Sequence, residues 1–255
     1  MVAELGGQLR ALGVHGGDVL VVHSSFRAVG PVEGGPLGLI EALRAAVGAD
    51  GTLVMPSMTG GGRPEPYDPV RTPTSDMGVL AETFWRLPGV LRGDHPSSTF
   101  AAVGRFAERI VAPQPLSPPH GLDSPIGRVY ELGGSVLLLG VGHDANTTMH
   151  LVEDLAGVPY RGEHWALVSH GDGVRKVTIS EPDHCCQGFD AADDWLGDAQ
   201  RLGTVGNAQA RLFSAADLVR VGVPRVTADP TVLLCRQGSG CMECDVAHAS
   251  IVSTG

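Results

Sequence analysis

The chain has 255 residues, of which 43% are hydrophobic and 18% charged, a composition that fits a folded core and excludes a disordered chain. Acidic residues number 28 and basic residues 18, which gives a net charge of −10, and Lys176 is the single lysine. This balance disfavours nucleic acid and anionic membranes as partners and favours cationic ligands, although surplus carboxylates also promote solubility.

The first 158 residues alternate helical spacing with short apolar runs. Apolar residues three or four apart predict helices over 3–13 and 37–47, and apolar runs predict buried strands over 18–23, 52–56 and 135–141. Further helices are predicted over 78–86 and 107–111, and the proline-rich stretch 112–124 predicts an irregular loop. This alternation predicts an α/β fold with a mixed, largely parallel central sheet flanked by helices.

Beyond Val158 the pattern changes. The segments 165–170 and 174–179 flank the His170-Gly171-Asp172-Gly173 turn and predict a β-hairpin. Helices are predicted over 191–196 and 214–221, and an edge strand over 232–234. We expect one domain over 1–255, with a main body of about 1–158 and a minor subdomain of about 159–255 that holds the hairpin and the C-terminal tail.

Small polar residues and glycines follow the first predicted strand, from His23 to Gly30, and Gly34 and Gly35 open the next helix. Exposed backbone N–H groups at such a strand end favour a phosphate or pyrophosphate cradle, and an ordinary strand-to-helix loop is the alternative. The sequence contains neither GxGxxG nor GxxxxGK[ST], so the dinucleotide and P-loop fingerprints are absent.

The strand at 135–141 leads into a segment that contains a histidine and a carboxylate. Asn146 or Thr147 is the predicted N-cap of a helix that carries His150 in its first turn and Glu153 three residues later on the same face. A carboxylate beside an imidazole stabilises the imidazolium, as a general base requires, whereas a helix with a solvated glutamate is the alternative.

Five cysteines lie in the last third of the chain, where Cys241 and Cys244 form a CxxC pair six residues after Cys235. The N-terminal segment has no signal-peptide pattern and no apolar run is long enough for a membrane span, which predicts a soluble, cytoplasmic protein with reduced thiols. Together with Cys186, these thiols predict one structural zinc site. A redox pair and inert buried thiols are the alternatives, and no catalytic metal is expected.

Four long segments occur in an order that resembles a known enzyme family. They are HSSFRAVGPVEGGPLGLIEALRAAVGADGTLVMPS, DHPSSTFAAVG, SPIGRVYELGGSVLLLGVGHDANTTMHLVED and EPDHCCQGFD. In this order they resemble aminoglycoside 3-N-acetyltransferases of the antibiotic N-acetyltransferase family, in particular those acting on apramycin and gentamicin. The resemblance implies an acyltransferase that moves the acetyl group of acetyl-CoA to the 3-amino group of an aminoglycoside and so confers resistance.

The resemblance also implies roles for individual residues. It assigns catalysis to His150 and Glu153 and, through the MPSMTG segment, places the hydroxyl of Ser57 or Thr59 near the thioester carbonyl. The HSSFR and DHPSS segments are implied in binding the coenzyme through Ser24, Ser25, Phe26, Arg27, Val29, His95 and Ser97. Carboxylates suited to the substrate ammonium groups are Glu181 and Asp183 of the EPDH segment, followed by Glu65 and Asp68.

Three alternatives to this function remain at the level of the sequence. The chain could acetylate another cationic amine, or act as a cysteine hydrolase through Cys185 or Cys186 with His184. It could also be a zinc-tailed binding module for cationic ligands, although that role would leave the HSSFR loop and the pair of His150 and Glu153 unused.

Overall fold

The computed structural model describes residues 2–171 and 173–252. Within them, seven of the strands form one mixed sheet in the order β3-β4-β2-β1-β5-β9-β8, and β6 and β7 form a separate hairpin sheet. Strand β1 pairs in parallel with β2 and β5, and the outer strands pair antiparallel. The predicted α/β fold with a mixed central sheet is therefore confirmed. The strands are β1 (Val19–Ser24), β2 (Thr52–Pro56), β3 (Leu91–Arg92), β4 (Phe100–Gly104), β5 (Ser135–Leu139), β6 (Arg161–His170), β7 (Gly173–Pro182), β8 (Arg201–Val205) and β9 (Ala208–Ser214).

Helices flank the sheet and connect its strands. The α-helices are α1 (Val2–Leu12), α2 (Phe26–Val29), α3 (Gly35–Val47), α4 (Gly78–Trp85), α5 (Ala107–Ile110), α6 (Pro125–Glu131), α7 (Thr148–Ala156), α8 (Ala191–Leu196), α9 (Ala215–Ala228) and α10 (Met242–Val252). Short 3₁₀ helices cover His143–Ala145, Gln187–Asp190, Gly197–Ala199 and Pro230–Leu233. Of the helices in the described residues, none combines the length and apolar character that crossing a membrane requires.

The central strands are buried on both faces of the sheet. In β1, Val21 packs with the core cluster on one face, and Leu20 and Val22 pack with the cluster on the other. Helices α1 and α3 cover the second face and α6, α7 and α9 the first, so the continuous apolar run of β1 has a partner for every side chain. This arrangement explains why a run without alternation predicted the strand correctly.

The structure differs from the sequence prediction at two places in the C-terminal part. Residues 232–234 were expected as an edge strand, but the 3₁₀ helix Pro230–Leu233 covers most of them because Asp229 caps the N–H of Thr231 and Pro230 supplies the first helical position. Strands β8 and β9, which fall within the predicted minor subdomain, extend the main sheet next to β5. The hairpin strands are confirmed, although Asp172 of the predicted turn lies outside the described residues.

The carboxyl ends of β1 and β5 lie side by side, since Ser24 is in register with Leu139. The chain leaves β1 into the HSSFR loop and leaves β5 into the segment that begins α7. The two segments that carry candidate residues therefore leave the sheet at the same edge, the position where open α/β folds place their ligand sites.

Candidate active site

A histidine and a glutamate on α7 are held together by a direct hydrogen bond. Helix α7 begins at Thr148, whose N–H donates to Asn146 Oδ1 over 3.1 Å, and Thr147 occupies the N-cap position. His150 then lies in the first turn, and its Nδ1 is 2.8 Å from Glu153 Oε2. The spacing of three residues thus brings the two groups into contact, as the sequence predicts.

Glu153 is fully buried and accepts hydrogen bonds from two further side chains. The hydroxyl of Tyr160 donates to Oε1 over 3.0 Å, and His184 Nε2 lies 2.7 Å from the same oxygen. The N–H of Cys186 donates to His184 Nδ1 over 3.1 Å, so the proton of this imidazole belongs on Nε2, facing the carboxylate. Burial alone raises the pKa of Glu153, but hydrogen bonds from His150 and His184 lower it to about 2.

The imidazole of His150 is oriented so that one nitrogen faces the glutamate and the other faces a cavity. Nδ1 donates to Glu153, which leaves Nε2 without its proton in the neutral ring, 3.8 Å from Cys186 Sγ. Burial lowers the pKa of His150, but the hydrogen bonds with Cys186 and Glu153 outweigh this and raise it well above its usual value. The ring also stacks on His120, with the ring centroids 5.2 Å apart.

The cavity beside His150 has a volume of about 420 Å³ and an acidic wall. Three carboxylates line it, those of Asp76, Glu181 and Asp183, and no arginine or lysine from the described part of the chain does so. Its other lining residues include Met58, Gly60, Gly61, Ser75, Met77, Ser97, Ser98, His120, Thr147, His164, Pro182, His184 and Cys186. A wall with this charge suits a ligand that carries ammonium groups.

Two histidines contact the carboxylate of Glu181. His164 Nδ1 lies 3.2 Å from Oε1, and His120 Nε2 lies 3.6 Å from Oε2. Burial, followed by the nearby His150, lowers the pKa of His120 well below its usual value, so this ring is neutral at physiological pH. Burial raises the pKa of Glu181 despite the attraction of His150 and His164. Glu181 thus lies in a cluster of imidazoles close to the predicted base.

The predicted catalytic residue Thr59 does not line this cavity, and its role stays a prediction. Its side chain is buried, its Oγ1 donates to the carbonyl of Pro96 over 2.7 Å, and its N–H donates to the carbonyl of Ser97 over 2.9 Å. The alternative, Ser57, is also buried and accepts a hydrogen bond from Arg92 Nε over 3.1 Å. Neither Ser57 nor Thr59 is among the lining residues of the cavity, and their hydroxyls bond instead to Arg92 and Pro96 in the neighbouring segment of the same chain.

The HSSFR segment forms a tight connection at the end of β1. The N–H of Ser25 donates to the carbonyl of Leu139 over 2.9 Å, and the Ser25 side chain accepts from the N–H of Ala28 at the start of α2. Gly140 has a φ of 70°, and a Cβ at this position would lie 2.5 Å from the Cβ of Ala28, so the close approach of the two loops requires glycine.

This connection stays outside the cavity of His150. The predicted coenzyme ligands in it, Ser24, Ser25, Phe26, Arg27 and Val29, do not line that cavity. Arg27 is exposed and Val29 is buried in the core. Coenzyme binding by these residues therefore stays a prediction.

The two predicted residues of the DHPSS segment have different surroundings. Ser97 lines the cavity, and its Oγ lies 3.1 Å from His164 Nε2. His95 is buried and does not line it, since its Nδ1 accepts from the N–H of Ser98 over 2.9 Å and its Nε2 contacts the carbonyl of Leu116 over 3.2 Å. Burial lowers the pKa of His95, so it is a neutral ring that fixes the backbone behind Ser97.

Two of the four carboxylates predicted to bind substrate lie elsewhere. Glu181 and Asp183 line the cavity, but Glu65 and Asp68 do not. Asp68 Oδ1 accepts from the N–H of Val70 over 2.8 Å and so stabilises its own turn, and Glu65 is mostly exposed with Arg63 as its ion-pair partner. The loop that carries them reaches the hairpin rather than the cavity, which the sequence pattern did not indicate.

The cysteines are brought together, but with a different fourth member from the one predicted. Thiols of Cys185, Cys235, Cys241 and Cys244 lie within 4.8 Å of one another. Cys186 was the predicted ligand and is not in this group, because it lines the cavity and its Sγ lies 3.8 Å from His150 Nε2. The zinc ion predicted for the cluster stays a prediction.

Sequence reasoning missed several residues of the site. Tyr160 and His164 flank or begin the hairpin, and His120 comes from the proline-rich loop, so they have no spacing relation to His150. Asp76 has a φ of 56° in an irregular segment before α4. His184 carried a signal in the quoted EPDH segment, but its contact with Glu153 depends on packing of the hairpin against α7.

The chain is similar to known proteins in both sequence and structure. Residues 21–227 match the family described as aminoglycoside 3-N-acetyltransferase. An aminoglycoside N(3)-acetyltransferase IV of Salmonella sp is 54% identical over 237 residues, which cover 91% of this chain and 89% of that protein. A solved structure of a histidine-to-alanine mutant of aminoglycoside acetyltransferase AAC(3)-IVa in complex with gentamicin is 51% identical, covers 97% of this chain and 96% of its own, and has a TM-score of 0.92. The structure of AAC-IIIb with CoASH is 30% identical, covers 89% and 96%, and has a TM-score of 0.83.

Proposed function

The chain belongs to the aminoglycoside 3-N-acetyltransferase family, and from this premise we propose that it acetylates a gentamicin- or apramycin-like aminoglycoside from acetyl-CoA, with His150 as general base. Family membership sets aside two alternatives from the sequence, the cysteine hydrolase and the zinc-tailed binding module. Resistance to the acetylated antibiotic is the proposed consequence, and a cytoplasmic location is part of the proposal.

One observation carries the proposed mechanism, namely that His150 lines an acidic cavity while its Nδ1 is held by a buried carboxylate. A base must be available on the substrate side and must be stabilised once it is charged. Glu153 provides that stabilisation, and its own negative charge is maintained by Tyr160 and His184. The hydrogen bonds from Tyr160 and His184 to Glu153, and from His150 to Glu153, therefore prepare the His150 imidazole to accept a proton.

In the proposed reaction His150 removes a proton from the 3-ammonium group, and the free amine then attacks the thioester carbonyl carbon. The C–N bond forms as the carbonyl becomes a tetrahedral oxyanion. Collapse of this intermediate breaks the C–S bond and releases the CoA thiolate, while the attacking nitrogen loses its second proton. One proton returns from the His150 imidazolium to the thiolate, which yields the amide, free CoA thiol and one proton released to solvent.

The acidic wall gives the substrate its orientation. Asp76 and Asp183 are exposed at the cavity, whereas Glu181 is partly buried beside His120 and His164. Ammonium groups of an aminoglycoside would pair with these carboxylates and place one amine near His150. The gentamicin complex of the related AAC(3)-IVa supports a substrate of this class.

The proposed cosubstrate reaches the cavity from the edge where β1 and β5 end. The HSSFR segment lies at this edge, and the Arg27 side chain there is exposed and positively charged. Binding of CoASH by the related AAC-IIIb supports acetyl-CoA as the acetyl donor. Ser97 and Ser98 of the DHPSS segment line the cavity itself, and Ser97 would meet the acetyl end of the coenzyme.

A direct test combines thiol release with product analysis. The purified chain is incubated with acetyl-CoA and gentamicin or apramycin, free CoA is followed by a thiol reagent, and the acetylated nitrogen is located by NMR. We expect one CoA released for each 3-N-acetylated product. Thiol release with spermidine but not with either aminoglycoside would instead support another cationic amine as the substrate.

Direct transfer is distinguished from transfer through a cysteine by Cys186→Ser. The Cys186 thiol lies 3.8 Å from His150 Nε2, so an acetylated thiol intermediate is the specific competitor. We expect the variant to keep acetylating activity, and the parent chain to gain no acetyl mass when it is mixed with acetyl-CoA alone. Acetylated Cys186 in the parent and an inactive serine variant would refute direct transfer.

A further inference from the structure

Four of the five cysteines form a cluster between the C-terminal tail and the loop after the hairpin. Cys185 follows β7, Cys235 follows the last 3₁₀ helix, and Cys241 and Cys244 lie at the start of α10. The sulfur atom of Cys185 is 3.4 Å from that of Cys235 and 3.6 Å from that of Cys244, and all four sulfurs lie within 4.8 Å of one another. Three separate chain segments thus direct their thiols to one point.

These distances match a metal centre and not a disulfide. A disulfide joins its sulfurs at about 2.05 Å, and all five cysteines are free. Zinc binds thiolates at about 2.3 Å in a tetrahedron, whose edges are then about 3.8 Å long. The separations of 3.4 and 3.6 Å lie slightly below this edge length, and all four sulfurs lie within 4.8 Å of one another, so a small adjustment of side chains would place them around one ion.

The backbone around the thiols supports thiolate ligands. The N–H of Cys235 donates to Cys244 Sγ over 3.3 Å. Cys241 and Cys244 are separated by two residues and lie at the amino-terminal end of an eleven-residue helix, where the helix dipole favours negative charge. His248 Nε2 contacts the carbonyl of Cys235 over 2.9 Å and so fixes the turn that carries this cysteine.

Few apolar side chains attach α10 to the core. Of its described residues, Cys244 and Ala247 are buried and Ile251 packs partly buried against the core, whereas Met242 is 81% and Val246 is 68% exposed. A helix of this length is marginal without tertiary support. The thiol cluster links the start of α10 to the rest of the fold.

We propose that Cys185, Cys235, Cys241 and Cys244 bind one structural zinc ion that ties the C-terminal tail to the loop between β7 and the 3₁₀ helix at Gln187. In these four ligands, Cys185 takes the place that the sequence prediction gave to Cys186. Cys186 has a φ of 60°, and the backbone at this position sends the two adjacent thiols to different places, one to the metal and one to the cavity.

The first experiment measures metal in the parent chain, purified without chelators. Elemental analysis for zinc and iron is expected to give about one zinc per chain. Replacement by cobalt(II) is expected to give the intense sulfur-to-cobalt absorption and the visible bands of a tetrahedral thiolate site. Removal of zinc by a chelator is expected to lower Tm and to make all five thiols reactive toward a thiol reagent.

Matched single-cysteine variants identify the ligands. Cys185→Ser and Cys241→Ser are expected to lose zinc and the cobalt–thiolate absorption, whereas Cys186→Ser is expected to keep both. If either ligand variant fails to fold, the metal content and cobalt spectrum of the parent still decide whether the centre exists. The proposal is overturned by a parent chain that binds neither zinc nor cobalt, by iron in place of zinc, by a disulfide among these thiols, or by loss of zinc from the Cys186 variant alone.

Discussion

Replacement of Glu153 by glutamine tests how the buried carboxylate prepares His150. The change keeps the size of the side chain and removes its charge. In the parent, the carboxylate oxygens receive three donors, from His150, Tyr160 and His184. A glutamine amide offers one oxygen and one NH₂ group, so at least one of these donors would face another donor.

The magnitude follows from the hydrogen bond between His150 and Glu153, which is 2.8 Å long and connects two groups that are charged once the base has accepted a proton. Hydrogen bonds to charged groups contribute about 1.5–3 kcal/mol. Because one pKa unit corresponds to about 1.4 kcal/mol, the pKa of His150 should fall by about one to two units in the glutamine variant. The imidazolium formed in the transition state loses the same support, so kcat should fall about 10- to 100-fold.

The assay is a steady-state series in pH for the parent and the variant, with acetyl-CoA saturating and gentamicin varied. The base acts in its unprotonated form, so kcat/KM rises with pH until the pKa of His150 is passed. In the parent this rise extends above the usual histidine pKa of 6.5, because hydrogen bonds with Cys186 and Glu153 raise the pKa against the effect of burial. The neighbouring His120 and His184 also face this ring.

In the variant the rising limb should move to lower pH. Glu163→Gln, which neutralises an exposed carboxylate on β6, is the matched control and should leave the profile unchanged. A Glu153→Gln profile that coincides with that of the parent, with an undiminished kcat, would show that the carboxylate does not support the base.

Three further outcomes follow from the site. Asp183→Asn should raise the KM for the aminoglycoside and reduce the increase of this KM with ionic strength, because charge pairs are screened over about 10 Å at 0.1 M salt. Asp68→Asn, outside the cavity, should change neither quantity. Equal salt slopes for the parent and Asp183→Asn would remove Asp183 from the site. Tyr160→Phe should lower the free energy of unfolding by about 1 kcal/mol, because it leaves the buried Glu153 with one hydrogen-bond donor fewer. An unchanged free energy of unfolding in denaturant at neutral pH would contradict this. The pKa of Glu153 is about 2 in the folded chain and 4.5 in the unfolded chain, so its contribution to stability is present above about pH 4.5 and is lost as the pH falls through about 2. The difference in unfolding free energy between the parent and Glu153→Gln should therefore shrink in acid. A difference that is independent of pH would refute this.

Local patterns predicted the parts of the site that are local in sequence. His150 and Glu153 are three residues apart on one helix, so helical geometry alone brings them together. The run Val19–Ser24 is apolar without alternation, which indicated a strand covered on both faces, and the central parallel part of the sheet followed from it. These inferences use periodicity and short-range geometry, which a single sequence contains.

Long-range packing decided the rest. His184 reaches Glu153 across 31 positions, and His120 stacks on His150 across 30 residues of loop, helix and strand. The adjacent thiols of Cys185 and Cys186 lie in different environments because the backbone of Cys186 is left-handed. Nothing in the sequence pattern indicates a left-handed conformation at a cysteine. The sequence did not predict strands β8 and β9. Strand β8 lies at the edge of the sheet and is mostly exposed, and the polar residues of the two strands interrupt the apolar pattern that indicates a buried strand.

The central claim, that His150 is the base of an aminoglycoside 3-N-acetyltransferase, is tested most directly by His150→Ala in the thiol-release assay with gentamicin and acetyl-CoA. Loss of a general base typically lowers the rate by about 10²–10⁴-fold. We therefore expect kcat/KM for gentamicin to fall within this range, while Tm and the Kd for acetyl-CoA stay close to those of the parent because Glu153 and His184 still bond to each other. A folded His150→Ala variant whose kcat stays within a few-fold of the parent at neutral pH would contradict the claim.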